Sequence, residues 1–167
     1  MGTAFISTRV SDPAACDWPE VLLCFNYWRA RCGKRFAPAW RDLDLMTLPL
    51  DMAPNLTVVD RAGDSFRYRY WGSGHAPFYP HDYTDCAVDD VSPTETARTL
   101  KNEYKEVAHR RAPLIFEKLF SGGVCMSLSL RMPLSSDGKN VDGVISYSAR
   151  REIADAIRTA GGSPIKA

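Results

Sequence analysis

The central stretch of the sequence reads Asn55-Leu56-Thr57-Val58-Val59-Asp60-Arg61-Ala62-Gly63-Asp64-Ser65-Phe66-Arg67-Tyr68-Arg69-Tyr70-Trp71-Gly72. Two runs rich in β-branched and aromatic residues flank a short Gly-Asp turn, and this pattern is typical of a β-hairpin. The second run alternates, which predicts that Phe66, Tyr68 and Tyr70 share one face while the two intervening arginines lie on the other.

A long helix is predicted after this hairpin. Ser92-Pro93-Thr94-Glu95 combines a serine N-cap, a proline at the first helical position and a glutamate that closes a capping box. The predicted helix continues to about Arg111, and Tyr104 lies on its buried stripe. Three strands are predicted to follow, over 114–120, 124–134 and 141–148, and an Asp-Gly hairpin signal separates the last two.

A shorter helix is predicted near the N-terminus, from Pro19 to a stop at Gly33. Val21, Phe25 and Trp28 recur at spacings of four and three residues, so they form one stripe of this helix. The stripe either packs on the helix's own domain or forms the contact of a homodimer, and the residues alone leave both alternatives open.

The sequence resembles a bacterial PAS family that occurs in many alphaproteobacteria as small stand-alone proteins. The motifs that carry the resemblance are Tyr27-Trp28-Arg29, Arg41-Asp42-Leu43-Asp44, Phe66-Arg67-Tyr68-Arg69 with Gly72-Ser73-Gly74, and Pro133-Leu134-Ser135-Ser136-Asp137-Gly138 with Val141-Asp142-Gly143. Together they span about residues 19–149. The order and the spacing of these motifs make the match.

The resemblance implies a PAS fold of the α+β class, with a five-stranded antiparallel sheet, helices on one face and an N-terminal helix. We expect a loose segment over 1–18, the PAS-like domain over 19–149 and a short tail over 150–167. PAS domains bind small molecules or cofactors between sheet and helices, or dimerise, and pass the change to an output. Because little sequence follows the last strand, we expect the output to pass to a signalling partner protein.

Composition excludes several classes of partner and location. The formal net charge of +1 gives no indication of nucleic-acid or membrane-surface binding. No apolar run reaches the roughly 18 residues that span a bilayer, and the N-terminus lacks the pattern of a signal peptide. The five cysteines contain no Cys-x-x-Cys pair, which predicts free thiols in a reducing cytoplasm.

A candidate ligand pocket is predicted between the aromatic face of the hairpin and the long helix. Its expected lining is Phe66, Tyr68, Tyr70, Tyr79, Tyr83, Tyr104, Phe116, Met126, Leu128 and Leu130. Buried tyrosine hydroxyls need hydrogen-bond partners, which a small apolar or aromatic ligand with a polar tip would supply, since no unpaired charge is evident on these faces. The alternative is a core that these side chains fill by themselves.

The loop after the hairpin contains side chains of the types that bind metals and cofactors. It contains His75, His81, Asp82, Asp85 and Cys86. Their spacing matches no metal-ligand pattern, and the residues around Cys86 do not resemble the motif of flavin-binding photosensors. His109 lies nine residues from Leu100 and therefore opposite the buried stripe of its helix, so haem would have to use His75 or His81. We expect no metal, and neither haem nor flavin.

Three functions follow from these observations. The first is a ligand-responsive PAS module that acts through a partner or a homodimer, and the second is a ligand-free PAS adaptor. The third is an enzyme on a similar fold, and we expect it not to apply because no His–carboxylate or nucleophile–base pair occurs at motif spacing.

Overall fold

The structure is a computed structural model, and it describes residues 7–119 and 125–151. Its strands and longer helices are β1 (Ser7–Ser11), α1 (Pro19–Cys32), β2 (Leu56–Ala62), β3 (Ser65–Trp71), α2 (Thr94–Arg110), β4 (Leu114–Leu119), β5 (Cys125–Leu134) and β6 (Gly143–Arg150). The predicted order of helix, hairpin, long helix and three strands is confirmed. Short 3₁₀ turns connect α1 to β2 and β3 to α2.

The strands form one antiparallel PAS-like sheet in the order β1-β4-β5-β6-β2-β3. The antiparallel arrangement is as predicted, but the sheet has six strands instead of five. The additional strand, β1, comes from the segment predicted to be loose, and it pairs with β4 from Ser7 to Ser11. Its side chains bury little, so it is held by backbone pairing at the sheet edge, which apolar patterning does not reveal.

Both faces of the sheet are covered, and α1 and α2 lie on opposite sides. On the face that we call the α1 face, residues such as Ile115, Leu130 and Ile145 pack in one cluster with the buried stripe of α1. On the opposite face, the α2 face, Phe66 and Tyr68 belong to a second cluster with α2. The predicted packing of the long helix across the sheet is confirmed. The domain limits at 18 and 149 stay predictions, and residues 152–167 lie outside the described part.

Helix α1 has the predicted limits, and its stripe packs within the domain. Gly33 follows the helix with a φ of 59°, a conformation that favours glycine. Val21, Phe25 and Trp28 are buried on the α1 face, and the Trp28 indole Nε1 donates to the Pro133 carbonyl at 2.9 Å. Of the two alternatives for this stripe, packing on the own domain is the one observed. The homodimer prediction therefore needs another surface.

Helix α2 begins at Thr94, so the capping prediction is wrong although the helix is present. Pro93, not Ser92, occupies the N-cap position, and no side chain caps the helix. The Ser92 backbone N–H instead bonds to the Tyr83 hydroxyl at 3.1 Å. At the other end Arg111 adopts a left-handed conformation and its N–H bonds to the Val107 carbonyl, which closes the helix near the predicted residue.

A β-bulge in the central hairpin changes which face Tyr70 occupies. Val59 pairs with Tyr68 and Val58 pairs with Tyr70, so one additional residue, Arg69, lies on β3 between these pairs. An extra residue reverses the alternation of side chains beyond it. Phe66 and Tyr68 consequently face α2, whereas Tyr70 packs on the α1 face. The prediction of a common face for the three aromatic residues is wrong for Tyr70.

Two further observations concern the whole described part of the chain. Within residues 7–119 and 125–151, no helix combines the length and apolarity needed to cross a membrane. The cysteines whose side chains are described, Cys16, Cys24, Cys32 and Cys86, are free thiols. Burial raises the pKa of the Cys24 thiol to about 12, so this thiol is an inert part of the α1 core.

Truncation of Trp28 tests the position of the α1 stripe. We expect Trp28→Ala to lower the free energy of unfolding by about 3–5 kcal/mol, because it removes a buried aromatic side chain and its hydrogen bond. Leu23→Ala on the exposed side of the same helix is the control and should cost less than about 1 kcal/mol. Urea titration measures both. A dissociating dimer with unchanged monomer stability, seen by light scattering, would contradict this packing.

Candidate functional site

The α2 face contains a cluster of aromatic side chains that the sequence largely predicted. The rings of Phe66 and Tyr104 are 5.5 Å apart, and the Tyr68 ring lies 4.8 Å from Trp71 and 6.5 Å from Tyr104. Trp71 in turn contacts the rings of Tyr79 and Tyr83. The structure thus brings together Phe66, Tyr68, Tyr79, Tyr83, Tyr104 and Phe116 of the predicted lining.

Three predicted lining residues lie on the other face of the sheet. Tyr70, Leu128 and Leu130 belong to the α1 face, where the Tyr70 hydroxyl donates to the Ala53 carbonyl at 3.0 Å. The apolar side of β5 therefore faces α1, and its polar side faces α2. The side chain of Met126 lies outside the described part of the structure. That the lining binds a ligand stays a prediction. The side chains that β5 contributes to the α2 face are its polar ones and not the predicted Leu128 and Leu130.

Polar side chains of the central strands β5 and β6 line part of the α2 face. We call Ser129 on β5 and Ser148 on β6, with the sheet surface around them, the serine floor. Directly paired residues of neighbouring strands point to the same side, and the pairs are Phe116 with Ser129 and Ser129 with Ser148. Ser129 and Ser148 are half-buried although they lie on the two central strands of the sheet. Neither hydroxyl has a hydrogen-bond partner among the described residues. The α2 face is thus incompletely covered at this point.

A buried carboxylate joins α2 to the sheet. Glu103 Oε2 accepts from Arg131 Nη2 at 2.6 Å and from Arg131 Nε at 2.8 Å, and Glu103 Oε1 accepts from the Lys118 ammonium. Glu103 and Arg131 are 5% and 3% exposed, so both charges are removed from water and depend on each other. Arg131 Nη1 also donates to Ser146 Oγ at 2.9 Å. We call Lys118, Glu103, Arg131 and Ser146 the charge cluster.

The charge cluster is continuous with the aromatic cluster. The Arg131 guanidinium lies over the ring of Tyr104 at 4.5 Å from its centroid, a cation–π contact in a desolvated setting. Burial alone would lower the pKa of Arg131, but the adjacent Glu103 carboxylate outweighs it and raises the pKa above its ordinary value. The guanidinium is therefore charged at any physiological pH. The predicted aromatic lining is thus joined by a buried ion pair that was not predicted.

A second polar contact lies at the end of β6. Arg150 Nη2 is 3.0 Å from His75 Nδ1, and the guanidinium lies over the Phe78 ring at 4.1 Å. His75 is buried, and its Nε2 has no hydrogen-bond partner among the described residues. Burial, and secondarily the cations Arg150 and Arg131, lowers the pKa of His75 to about 4. His75 is therefore neutral near pH 7.

The tyrosine hydroxyls of the aromatic cluster differ in their hydrogen-bond partners. Tyr83 accepts from the Ser92 backbone, and Tyr104 donates to Tyr68 over a long 3.4 Å. The Tyr79 hydroxyl has no partner among the described residues. Burial raises the pKa of Tyr68 and of Tyr79, and the charges of Arg131 and Arg150 oppose this for Tyr79. Tyr79 thus lies within the field of both guanidinium groups.

Sequence reasoning missed the polar residues of this region, among them Glu103, Arg131, His75 as a buried group, and Arg150. A signal existed for Glu103, which precedes the buried Val107 by four residues and so shares its helix face. Arg131 was hidden because it alternates with apolar residues, which is typical of a strand with one wet face. Arg150 was placed outside the domain. The predicted exposure of His109 is confirmed.

The loop residues considered for metal binding do not assemble. His81 is exposed and contacts the Tyr83 ring, and Asp82 accepts from Thr84 at its own turn. Within the described residues, no group of three or more histidine, cysteine or acidic side chains is arranged to hold a metal ion. The absence of metal, haem and flavin stays a prediction.

No protein-family model and no curated protein matches the sequence. Among solved structures, the chain is similar to a light-oxygen-voltage (LOV) domain studied with a flavin analogue, at 11% identity over 64% of this chain and 84% of that one, with a TM-score of 0.42. The LOV domain of the blue-light photoreceptor aureochrome in its light state matches at 10% identity over 65% and 90%, with a TM-score of 0.40. A fungal LOV photoreceptor matches at 13% identity over 80% and 94%, with a TM-score of 0.40. The likeness is one of fold.

Removal of the buried carboxylate tests the charge cluster. We expect Glu103→Gln to lower the free energy of unfolding by about 3 kcal/mol or more, because it leaves the Arg131 charge buried without its counterion. The double variant Glu103→Met with Arg131→Met should recover much of this loss, since it removes both charges. The exposed pair of Asp89 with Lys101 provides the control: Asp89→Asn should cost below about 1 kcal/mol. Equal costs for Glu103→Gln and Asp89→Asn, measured in urea, would be incompatible with this cluster.

The buried neutral His75 predicts a specific loss of stability in acid. Its folded pKa of about 4 lies below the ordinary value of 6.5, so the unfolded chain binds the extra proton first. The stabilising contribution is present above pH 6.5 and is lost as the pH falls towards 4, with a magnitude on the order of 2–3 kcal/mol. In His75→Gln this part of the pH dependence should disappear, whereas His109→Gln, at an exposed position, should retain it. Urea titrations at pH 7.5 and pH 5 measure the difference.

Proposed function

We propose that this protein is a PAS-type sensory module that binds a small molecule at the α2 face and transmits the change through α2 to a partner. The observation that carries the proposal is the charge cluster, which joins α2 to β4, β5 and β6 next to the half-buried Ser129 and Ser148. A ligand that reaches this floor contacts the groups that hold the helix.

The energetics of the charge cluster support this role. Desolvated ion pairs cost free energy that an apolar core of the same shape does not, so a domain that needed only stability would gain by replacing them. A ligand with a polar group can compete for Arg131 or Lys118 and thereby change the relative free energies of two α2 positions. Ligand binding at the floor is in this way coupled to the position of α2, the helix that contacts the partner.

The ligand-free adaptor is the second candidate, and a specific observation favours it. The rings of Tyr68, Trp71, Tyr83 and Tyr104 contact one another, and the Tyr83 hydroxyl is satisfied by the backbone. Side chains that satisfy one another need no ligand. In this second function the α2 face is only core, and contact with the partner takes place on the outer surface. A homodimer, a bacterial source, a cytoplasmic location and the lack of enzymatic activity belong to both proposals.

A small-molecule screen separates the two functions. For the sensor, we expect a metabolite or small aromatic compound to raise the melting temperature by about 5 °C when present at a hundred times its dissociation constant. Hydrogen exchange of α2 should slow with the same compound. Tyr104→Ala should abolish both effects and Tyr104→Phe should reduce them, whereas Tyr27→Phe, a matched change on α1, should leave them intact.

The adaptor predicts a different outcome of the same measurements. No compound should raise the melting temperature, native mass spectrometry should find no co-purifying small molecule, and the exchange of α2 should be the same in every condition. This combination would refute the sensor proposal.

A further inference from the structure

Arg150 is a half-buried cation without a carboxylate. Among the described residues its only polar contact is His75 Nδ1, and its other neighbour is the Phe78 ring. Burial lowers the pKa of Arg150, and Tyr79 opposes this shift. A guanidinium usually obtains a planar acceptor when it is taken out of water. Neither neutral His75 nor Phe78 supplies negative charge.

Cations outnumber carboxylates around the serine floor. Arg150 and Lys118 both pair across the strands with Ser127, one on each side, and Ser129 pairs with Ser148 in the adjacent row. Arg131 lies in the following row with Ser146. Because directly paired residues share a face, all of these side chains project to the α2 face. Within the described part of the chain, the only carboxylate that contacts any of these three cations is Glu103, which is already paired with Lys118 and Arg131.

Tyr79 lies within reach of the same field and brings a hydroxyl. Its ring centroid lies 6.2 Å from that of His75, whose Nδ1 contacts Arg150, so the phenol lies beside the end of β6, and the charges of both Arg131 and Arg150 act on it. Its hydroxyl and those of Ser129 and Ser148 have no partners within the described part of the chain. Three hydroxyls able to donate therefore surround a positively charged, partly open floor. Hydroxyl donors together with a guanidinium are the groups that recognise an oxyanion.

We propose that the floor between Arg150 and Tyr79 binds the carboxylate of a small organic acid with an apolar or aromatic body. Arg150 is its counterion, and Ser129, Ser148 and Tyr79 donate to its oxygens. The apolar body contacts Phe78, Tyr79 and Phe116, which border the floor. This inference rests on the proposed sensory function and specifies its ligand class: the charge on the ligand replaces the uncharged polar tip expected from the sequence.

The test compares three acids with their primary amides on the full chain. The pairs are acetate and acetamide, benzoate and benzamide, and indole-3-acetate and indole-3-acetamide, with inorganic phosphate as a general anion. We expect at least one organic acid to bind about tenfold or more tightly than its amide, because charge-assisted hydrogen bonds are lost in the amide. That preference should vanish in Arg150→Gln and return in part in Arg150→Lys. Arg98→Gln removes one exposed arginine of α2 and should leave the preference unchanged.

A measurement on the wild type covers the case in which Arg150→Gln fails to fold. The Nε resonance of Arg150, followed by ¹⁵N NMR, should shift on titration with the organic acid and not with its amide. If none of the three acids binds better than its amide, if phosphate binds as tightly as the best acid, or if Arg150→Gln keeps the preference, the carboxylate assignment is overturned. If a neutral compound alone stabilises the protein, only this assignment fails. If nothing stabilises it, the sensory proposal fails with it.

Discussion

The carboxylate of Glu103 is the constraint on which the α2 side of the molecule depends. It is buried, it accepts from Arg131 on β5 and from Lys118 on β4, and it is the only acidic group that these two cations contact among the described residues. Charges removed from water are stable only when each has its partner at good geometry. The position and rotation of α2 are therefore specified by charge, and Tyr104, the next residue along the helix, is placed over the sheet by the same contact.

The two faces of the sheet bury side chains of different chemistry. The α1 face is a continuous apolar cluster in which Trp28 makes a side-chain hydrogen bond from the buried stripe to the sheet. Such packing tolerates shifts of volume and gives stability. The α2 face interleaves aromatic rings with ions and serines, which gives less stability per buried area but a sharply defined arrangement. Of the two faces, the α2 face has the defined polar arrangement and is therefore the one suited to recognising a ligand.

The fold was predictable where local physics decides it, and the site was not. Glycine and proline positions gave the limits of α1, and period-two alternation gave the strands. The face assigned to Tyr70 was wrong because one extra residue on β3 reverses the alternation, and a bulge has no apolar signature. The assignment of Leu128 and Leu130 to the α2 side failed for another reason. A strand covered on both faces does not reveal from its own pattern which helix covers its apolar side, and an alternation such as that around Arg131 is equally typical of a strand with one face in water.

The reversed face of β5 changes the chemistry expected of a ligand. With Leu128 and Leu130 under α2, the floor would be apolar and a neutral aromatic compound would fit it. With Ser129 and Arg131 there instead, and with the half-buried Arg150 on the neighbouring strand, an apolar ligand would leave the serine hydroxyls without hydrogen-bond partners and the Arg150 charge without a counterion. A ligand-free core would leave them in the same state, except where water reaches the floor. The polarity of the central strands on this side is thus better matched to an anionic occupant than to either a filled core or a neutral one.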